Sequence, residues 1–283
     1  MTDITVEQLG LLFTKFRAPS WSEKATTIRG ETETPGIYYH GSPDVNIREF
    51  RSRIERPNEL GTVGVFFTEN PTYAAAYAVR NSNGFGGRIY RAEIATDNPF
   101  FHDSYSWVET VASEDRLVER STCIEMAENG HDAIVSLMLN ETVHELIVLD
   151  DKVVRRRDAD LKGLKPWTSP SVYEALLFFQ VEGLAGPDYA PGCVRLFGKK
   201  KYALLEGLPQ RVAVNAVNPV YCEQEAWPKM DFGWLRLMNI TCLVDPRDRS
   251  AIVIDPSEIH WVNRDGLRQM KAKARRQAKG GAR

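Results

Sequence analysis

A glutamate at the head of an otherwise apolar strand is the position in this chain with the most chemistry to explain. Glu145 precedes Leu146, Ile147, Val148 and Leu149, and strand alternation puts it on the same face as Val143 and Ile147. A carboxylate so placed is costly to bury unless something pairs with it; taken alone, it better suits a strand end open to solvent. His40 closes the run I-Y-Y-H and is followed by Gly41 and Ser42. Glycine has no Cβ and lets the backbone come close to a ligand, although a lone histidine is more often a satisfied structural residue. In G-V-F-F-T-E-N-P-T-Y-A-A-A-Y, from Gly64 to Tyr77, Asn70 and Pro71 mark a helix start. Tyr73 and Tyr77 then fall four apart on one helix face. Aromatic rings offer flat apolar faces for stacking, and Ala74, Ala75, Ala76 and Ala78 let that helix lie close on a sheet.

Taken in this order, Tyr38 to Ser42, Gly64 to Tyr77 and His144 to Asp150 resemble the NAD-binding core of the ADP-ribosyltransferases. The likeness is to the diphtheria-toxin and poly(ADP-ribose) polymerase branch, whose signature is a His, a Tyr and a Glu on three separate strands. It covers roughly residues 36 to 155. The resemblance implies an α+β domain with a split two-sheet core, which transfers ADP-ribose from NAD to a macromolecular acceptor and releases nicotinamide. By position it implies catalytic roles for Glu145 and His40. Glu145 would bond the 2'-hydroxyl of the nicotinamide ribose and stabilise the oxocarbenium ion formed as nicotinamide leaves. Preorganised electrostatics of that kind supply about 3 to 4 kcal/mol per group. The resemblance further implies that His40 contacts the adenosine ribose, that the Gly41 backbone holds the carboxamide, that Ser42 supports His40, and that Phe66 and Tyr77 sandwich the nicotinamide.

Two positions depart from related patterns. Position 66 holds Phe where the signature usually has Tyr, so the ring is kept and the hydroxyl lost; a non-catalytic NAD-binding module is the alternative this favours. Val143 stands two residues before Glu145, where the arginine-modifying branch has a second Glu. That argues against arginine modification, with Glu141 and His144 nearby on the acceptor side.

The elements that must position these groups read as an α+β pattern. With 283 residues, 43% hydrophobic and 26% charged, the chain can bury one large core or two modest ones. An amphipathic helix is expected over 6–16, and a Pro-Gly breaker at Pro35 and Gly36 ends the first segment. Short strands follow: I-Y-Y-H, G-V-F-F-T, R-I-Y-R-A-E-I-A, D-A-I-V-S-L and E-L-I-V-L-D, with helices expected over 73–80 and 108–128. A second boundary falls where Gly163 and Pro166 interrupt a charged stretch. Beyond it, 171–181 reads as helix, and 211–221 and 251–254 as strands. The expected organisation is a helical arm at 1–35, a transferase-like domain at 36–157, a C-terminal α+β domain at 158–263 and a basic tail at 264–283. One internal echo stands out: S-A-I-V-I-D-P-S-E-I, from Ser250 to Ile259, follows the pattern of E-L-I-V-L-D-D-K-V-V, from Glu145 to Val154, with Ser250 in place of Glu145.

Other chemistries find little support. Cys123, Cys193, Cys222 and Cys242 have no zinc spacing, and no metal site is expected. Gly192 to Lys201 fails as a phosphate loop because Lys199 is followed by Lys200 rather than Ser or Thr. The chain has no apolar run of membrane-spanning length and no secretory leader pattern, so a cytoplasmic protein without membrane contact is expected.

Charge is unevenly spread. Residues 1 to 150 carry 13 Lys/Arg against 23 Asp/Glu, whereas 264 to 283 carry eight basic residues and one acidic. A basic tail can contact nucleic acid by releasing counterions, which makes RNA or DNA an alternative acceptor; a solvated helix end accounts for the same composition. If the tail holds a nucleic-acid acceptor, binding of that acceptor falls steeply with salt and is lost when 264–283 are removed. Filter binding across a salt series checks this.

Overall fold

The computed structural model describes residues 36–54, 63–80, 82, 85–102, 116–137, 144–158, 164, 176–181, 187–197, 209–214 and 216–261. The expected N-terminal arm and basic tail lie outside these residues. The strands are β1 (Gly36–Ser42), β2 (Val65–Thr68), β3 (Gly87–Ile94), β4 (Pro99–His102), β5 (Ala133–Leu137), β6 (His144–Val148), β7 (Val154–Arg156), β8 (Leu176–Val181), β9 (Val194–Leu196), β10 (Pro209–Val214), β11 (Val220–Tyr221), β12 (Cys242–Val244), β13 (Ala251–Val253) and β14 (Ile259–Trp261). Three α-helices accompany them among the described residues: α1 (Pro71–Val79), α2 (Arg116–Glu128) and α3 (Phe232–Leu237).

Eleven strands form one mixed sheet in the order β4-β5-β6-β2-β1-β3-β11-β12-β13-β9, with β7 paired to β3 off this path. Strands β8, β10 and β14 form a second sheet of three. The protein is therefore a mixed α+β structure with few helices. Two sheets were expected within 36–157, but β1 to β7 all belong to the large sheet. Segments beyond residue 158 extend that same sheet, because β11 pairs in parallel with β3 and carries β12, β13 and β9 with it. The helix expected over 171–181 is a strand over Leu176–Val181, paired with β10 along all six residues; 171–175 lie outside the described residues. Its Leu, Phe and Val content suits a paired strand, and long-range pairing decides between the two forms for a short apolar run.

β1 is held unequally on its two sides. All seven of its residues pair with β3, from Gly36↔Ile94 to Ser42↔Arg88. On the other side its ladder with β2 consists of one pair, Tyr39↔Thr68. β2 in turn pairs with β6 at four positions, including Thr68↔Glu145 and Phe66↔Ile147. Cross-strand partners share a face, so Tyr39, Phe66, Thr68, Glu145 and Ile147 lie on one side of the sheet. His40, Phe67 and Leu146 lie on the other.

Helix α1 covers the first of these faces. The Asn70 side chain caps it by accepting from the backbone N–H groups of Thr72 and Tyr73 at 2.9 and 3.4 Å, and Pro71 occupies its first turn. Contact with the sheet is close: a Cβ on Gly41 would come 1.7 Å from the Ala74 carbonyl oxygen, and one on Gly87 2.2 Å from that of Ala78. The alanines of α1 and the glycines of β1 and β3 are thus one packing solution. Trp227, Met230, Phe232, Trp234 and Leu235 join the same apolar cluster as α1, Tyr39 and Ile89. Thr72 Oγ1 ties the two segments together by accepting from the Asp231 N–H at 2.9 Å.

Beneath the opposite face lies a buried ionic group. Arg88 and Asp158 pair at 2.5 Å with side chains only 2% and 0% exposed, and Arg156 adds two further bonds to Asp158 at 2.5 and 2.9 Å. Both guanidinium groups lie over the Tyr90 ring, 4.6 and 5.1 Å from its centroid. They also reach the loop after β1: Arg88 donates to the Val45 carbonyl at 3.3 Å, and Arg156 to the carbonyls of Ile47 and Arg48 at 2.6 and 3.1 Å. Tyr90 Oη donates to the Asp44 carbonyl at 2.6 Å and accepts from the Ile47 N–H at 2.9 Å. Removing one partner of such a group leaves a buried charge uncompensated. Asp158→Ala is expected to destabilise the protein by about 3 to 5 kcal/mol, measured by urea denaturation.

Candidate functional site

Glu145 is buried, at 1% exposure, on the α1 face of the sheet. Its cross-strand neighbours are Thr68 on β2 and Ser136 on β5. Thr68 is buried as well, and its hydroxyl accepts from the Asn70 N–H at 3.2 Å, which leaves its proton for another acceptor. On α1, the ring of Tyr73 meets that of Tyr77 edge to face at 5.0 Å and 85°. The two hydroxyl oxygens are 2.8 Å apart. Burial pushes the Tyr73 hydroxyl well above the ordinary tyrosine range, and the neighbouring Tyr77 and Glu145 raise it further.

The residues singled out in the sequence divide between the two faces. Glu145, Phe66, Gly41 and Tyr77 belong to the α1 side. Phe66 packs half-buried against the cluster of Val63, Ile134 and Ile147, and Tyr77 half-buried against the cluster under α1. Continuing the single β1–β2 pair would set Gly41 opposite Phe66, but the ladder stops at Tyr39. The backbone ladder thus ends before Gly41 and Phe66, two of the residues expected to contact nicotinamide.

His40 points the other way. Its ring is enclosed by Phe50, Phe67 and Tyr90, with centroids 5.2, 5.6 and 6.2 Å away. His40 Nδ1 lies 2.7 Å from the Phe66 carbonyl oxygen. A carbonyl can only accept, so Nδ1 carries the proton and Nε2 is the acceptor nitrogen of a neutral ring. The imidazole thus binds a β2 carbonyl beyond the end of the backbone ladder. Ser42 was expected to support His40; its hydroxyl instead accepts from the Asp44 N–H at 3.1 Å and shapes the loop. Gly41 was expected to be glycine for the sake of a ligand, and the approach of the Ala74 carbonyl already requires it.

Tyr73 and Thr68 were not singled out as site residues. Thr68 was legible as the residue two beyond Phe66 and hence on its face. Tyr73 was visible as the helical neighbour of Tyr77, but its nearness to Glu145 depends on how α1 sits on the sheet.

Two open clefts lie elsewhere. One, of about 520 Å³, is lined by Gln224, Glu225, Arg247 and Asp248, and the other, of about 410 Å³, includes Tyr189, Lys229, Phe232 and Arg236. Neither is lined by Glu145, Phe66 or Tyr77, and in the first Arg247 is already committed to Asp245 and Glu225 at 2.7 to 3.1 Å. The buried face under α1 therefore remains the candidate site. Among the described residues no group of His, Cys, Asp and Glu is placed to hold a metal ion, and no helix is long and apolar enough to cross a membrane. The four cysteines are buried thiols.

Burial lowers the His40 pKa from its ordinary 6.5, outweighing the bond to Phe66. The unfolded chain then binds the proton more readily than the folded one, so this contribution to stability is complete above 6.5 and is lost as pH falls through the lower folded value. Between about pH 7.5 and pH 5 the wild type is expected to lose more stability than His40→Gln. Urea midpoints at the two pH values make the comparison.

Comparison of the chain with family models and with curated proteins finds no match.

Proposed function

We propose that this protein transfers ADP-ribose from NAD to a macromolecular acceptor, protein in the first instance, with release of nicotinamide. The observation that carries the reading is the buried Glu145 carboxylate on the α1 face, sharing that face with Phe66 and Tyr77 where β1 leaves β2. A carboxylate sequestered from water favours a site where positive charge develops, because its field is weakly screened there. Half-buried rings from a strand and a helix suit a flat heteroaromatic group. In this reading the nicotinamide ring would lie against Phe66 and Tyr77, and its ribose against Glu145.

In the reaction the bond between the ribose C1' and the nicotinamide nitrogen breaks, and its electron pair leaves with nicotinamide. Positive charge then spreads over C1' and the ring oxygen, where Glu145 stabilises it. An acceptor nucleophile bonds to C1' and gives up its proton. Holding NAD in one reactive shape lowers the entropic part of the barrier. In this reading His40 contributes by holding the Phe66 backbone.

Glu145→Gln keeps the shape of the site and removes the charge. Nicotinamide release is expected to fall by about 100-fold or more, while NAD binding, followed by calorimetry, changes only several-fold. Turnover retained in this variant would sink the assignment. NAD bound by the wild type without nicotinamide release would instead support the non-catalytic binding module that Phe66 favours.

A further inference from the structure

We propose that this chain carries its fold twice, and that the second copy, over 176–261, is a non-catalytic half that seats α1. The inference rests on the reading above, in which Glu145 acts on NAD. Strands β8 to β14 repeat β1 to β7 in order and in sense. β3 is antiparallel to both β1 and β7, and β10 to both β8 and β14. β4 runs parallel to β5, and β6 is antiparallel to β5 and β2; in the second set β11 runs parallel to β12, and β13 is antiparallel to β12 and β9. The helices agree as well, since α2 lies between β4 and β5, and α3 between β11 and β12. Each is followed by the same turn. The His131 N–H donates to the Met126 carbonyl at 3.0 Å and the Ile240 N–H to that of Leu235 at 2.9 Å, with Gly130 and Asn239 at φ of 83° and 54°. The segment between β9 and β10, where a second α1 belongs, lies outside the described residues.

Register gives the equivalent residues. Gly36, Ile94 and Val154 form one row across the first copy, and Leu176, Val214 and Ile259 the same row across the second. Likewise Leu146 lies between Phe67 and Val135, and Ala251 between Leu196 and Val244. Counted from these rows, Gln180 takes the position of His40, Arg195 that of Phe66 and Ser250 that of Glu145. The echo that begins at Glu145 and at Ser250 is therefore the trace of a repeated unit. Its chemistry is not repeated. A serine has no charge to meet a developing cation, and Arg195 sets a cation on the face where Phe66 offers an apolar ring. The Arg195 guanidinium is bonded to Gln224 Oε1 at 2.9 Å. What the second copy supplies is cover: its Leu243, Ile252, Phe232, Trp234 and Leu235 share the apolar cluster of α1. The Asp231 N–H donates to the buried Thr72 Oγ1 at 2.9 Å, which makes Thr72 a positioning residue for α1 and for the Tyr77 it carries.

The test uses the full chain. Calorimetry with NAD is expected to find one site per chain, and Ser250→Ala to keep nicotinamide release within about 2-fold of wild type. Thr72→Val removes the acceptor of the Asp231 N–H. Assayed well below its melting transition, this variant is expected to lose about 5-fold or more in kcat, and Thr72→Ser to recover most of that loss. A second NAD site, a larger loss in Ser250→Ala, or an unchanged kcat in Thr72→Val overturns the proposal while the transferase reading stands. If Thr72→Val does not fold, the number of NAD sites and Ser250→Ala decide the matter. A wild type that releases no nicotinamide overturns both, because neither half is then catalytic.

Discussion

The pairing of Arg88 and Arg156 with Asp158 is the constraint on which the site depends. Three charged side chains share one enclosed space, and such a group is tolerable only when each charge is compensated and its hydrogen bonds are made. Here the surplus donors of the two arginines go to backbone carbonyls at Val45, Ile47 and Arg48. The group therefore binds β3, the segment after β7 and the loop after β1 into one unit. Tyr90, beneath both guanidinium groups, bonds the same loop at Asp44 and Ile47. The end of β1 is fixed from below by charge, which lets its upper surface be given over to α1.

Fixing β1 from that side also explains how it can part from β2. A strand with neighbours on both edges ordinarily uses both ladders, and unmade backbone bonds in a covered region are costly. β1 has a full ladder with β3 and a single pair with β2. The His40 imidazole meets part of that cost by taking the Phe66 carbonyl as acceptor. On the other face of the same strands, Glu145 and Thr68 are buried polar residues in an otherwise apolar layer. The two faces of one short strand pair thus differ, with the His40 anchor below and the buried Glu145 above.

Much of this was legible in the sequence because the signals were local. Gly36–Ser42, Val65–Thr68 and His144–Val148 are apolar runs of strand length, and Asn70 with Pro71 announces α1. What alternation could not give was register. It put Glu145 with Ile147 on one face, but only the pairing of Tyr39 with Thr68 and of Thr68 with Glu145 shows that His40 belongs to the other. The later strands escaped for a different reason. β11 and β12 have two and three residues, too few for a period to show, and they exist because β3 and β13 offer them edges. Leu176–Val181 misled in the same way, since a short apolar run takes its form from its partner. The echo between 145–154 and 250–259 does appear as local structure: Asp150 and Asp255 each cap a short turn after a strand, accepting from Lys152 and Ser257 N–H groups at 3.0 Å.

The cover over α1 comes from far along the chain, and that has a consequence for synthesis on the ribosome. Tyr39, Tyr73 and the alanines of α1 are translated some 150 residues before Trp227, Phe232 and Leu235, which share their cluster. A nascent chain that has just released Asp158 can close its ionic group, yet it lacks the Trp227, Phe232 and Leu235 that share the α1 cluster, and β3 lacks β11 along part of its edge. Every such chain passes through a stage with an incomplete apolar cluster and an open strand edge, features that expose a chain to aggregation. The candidate site therefore acquires its full cover late in synthesis, after the segment through Leu235 has emerged.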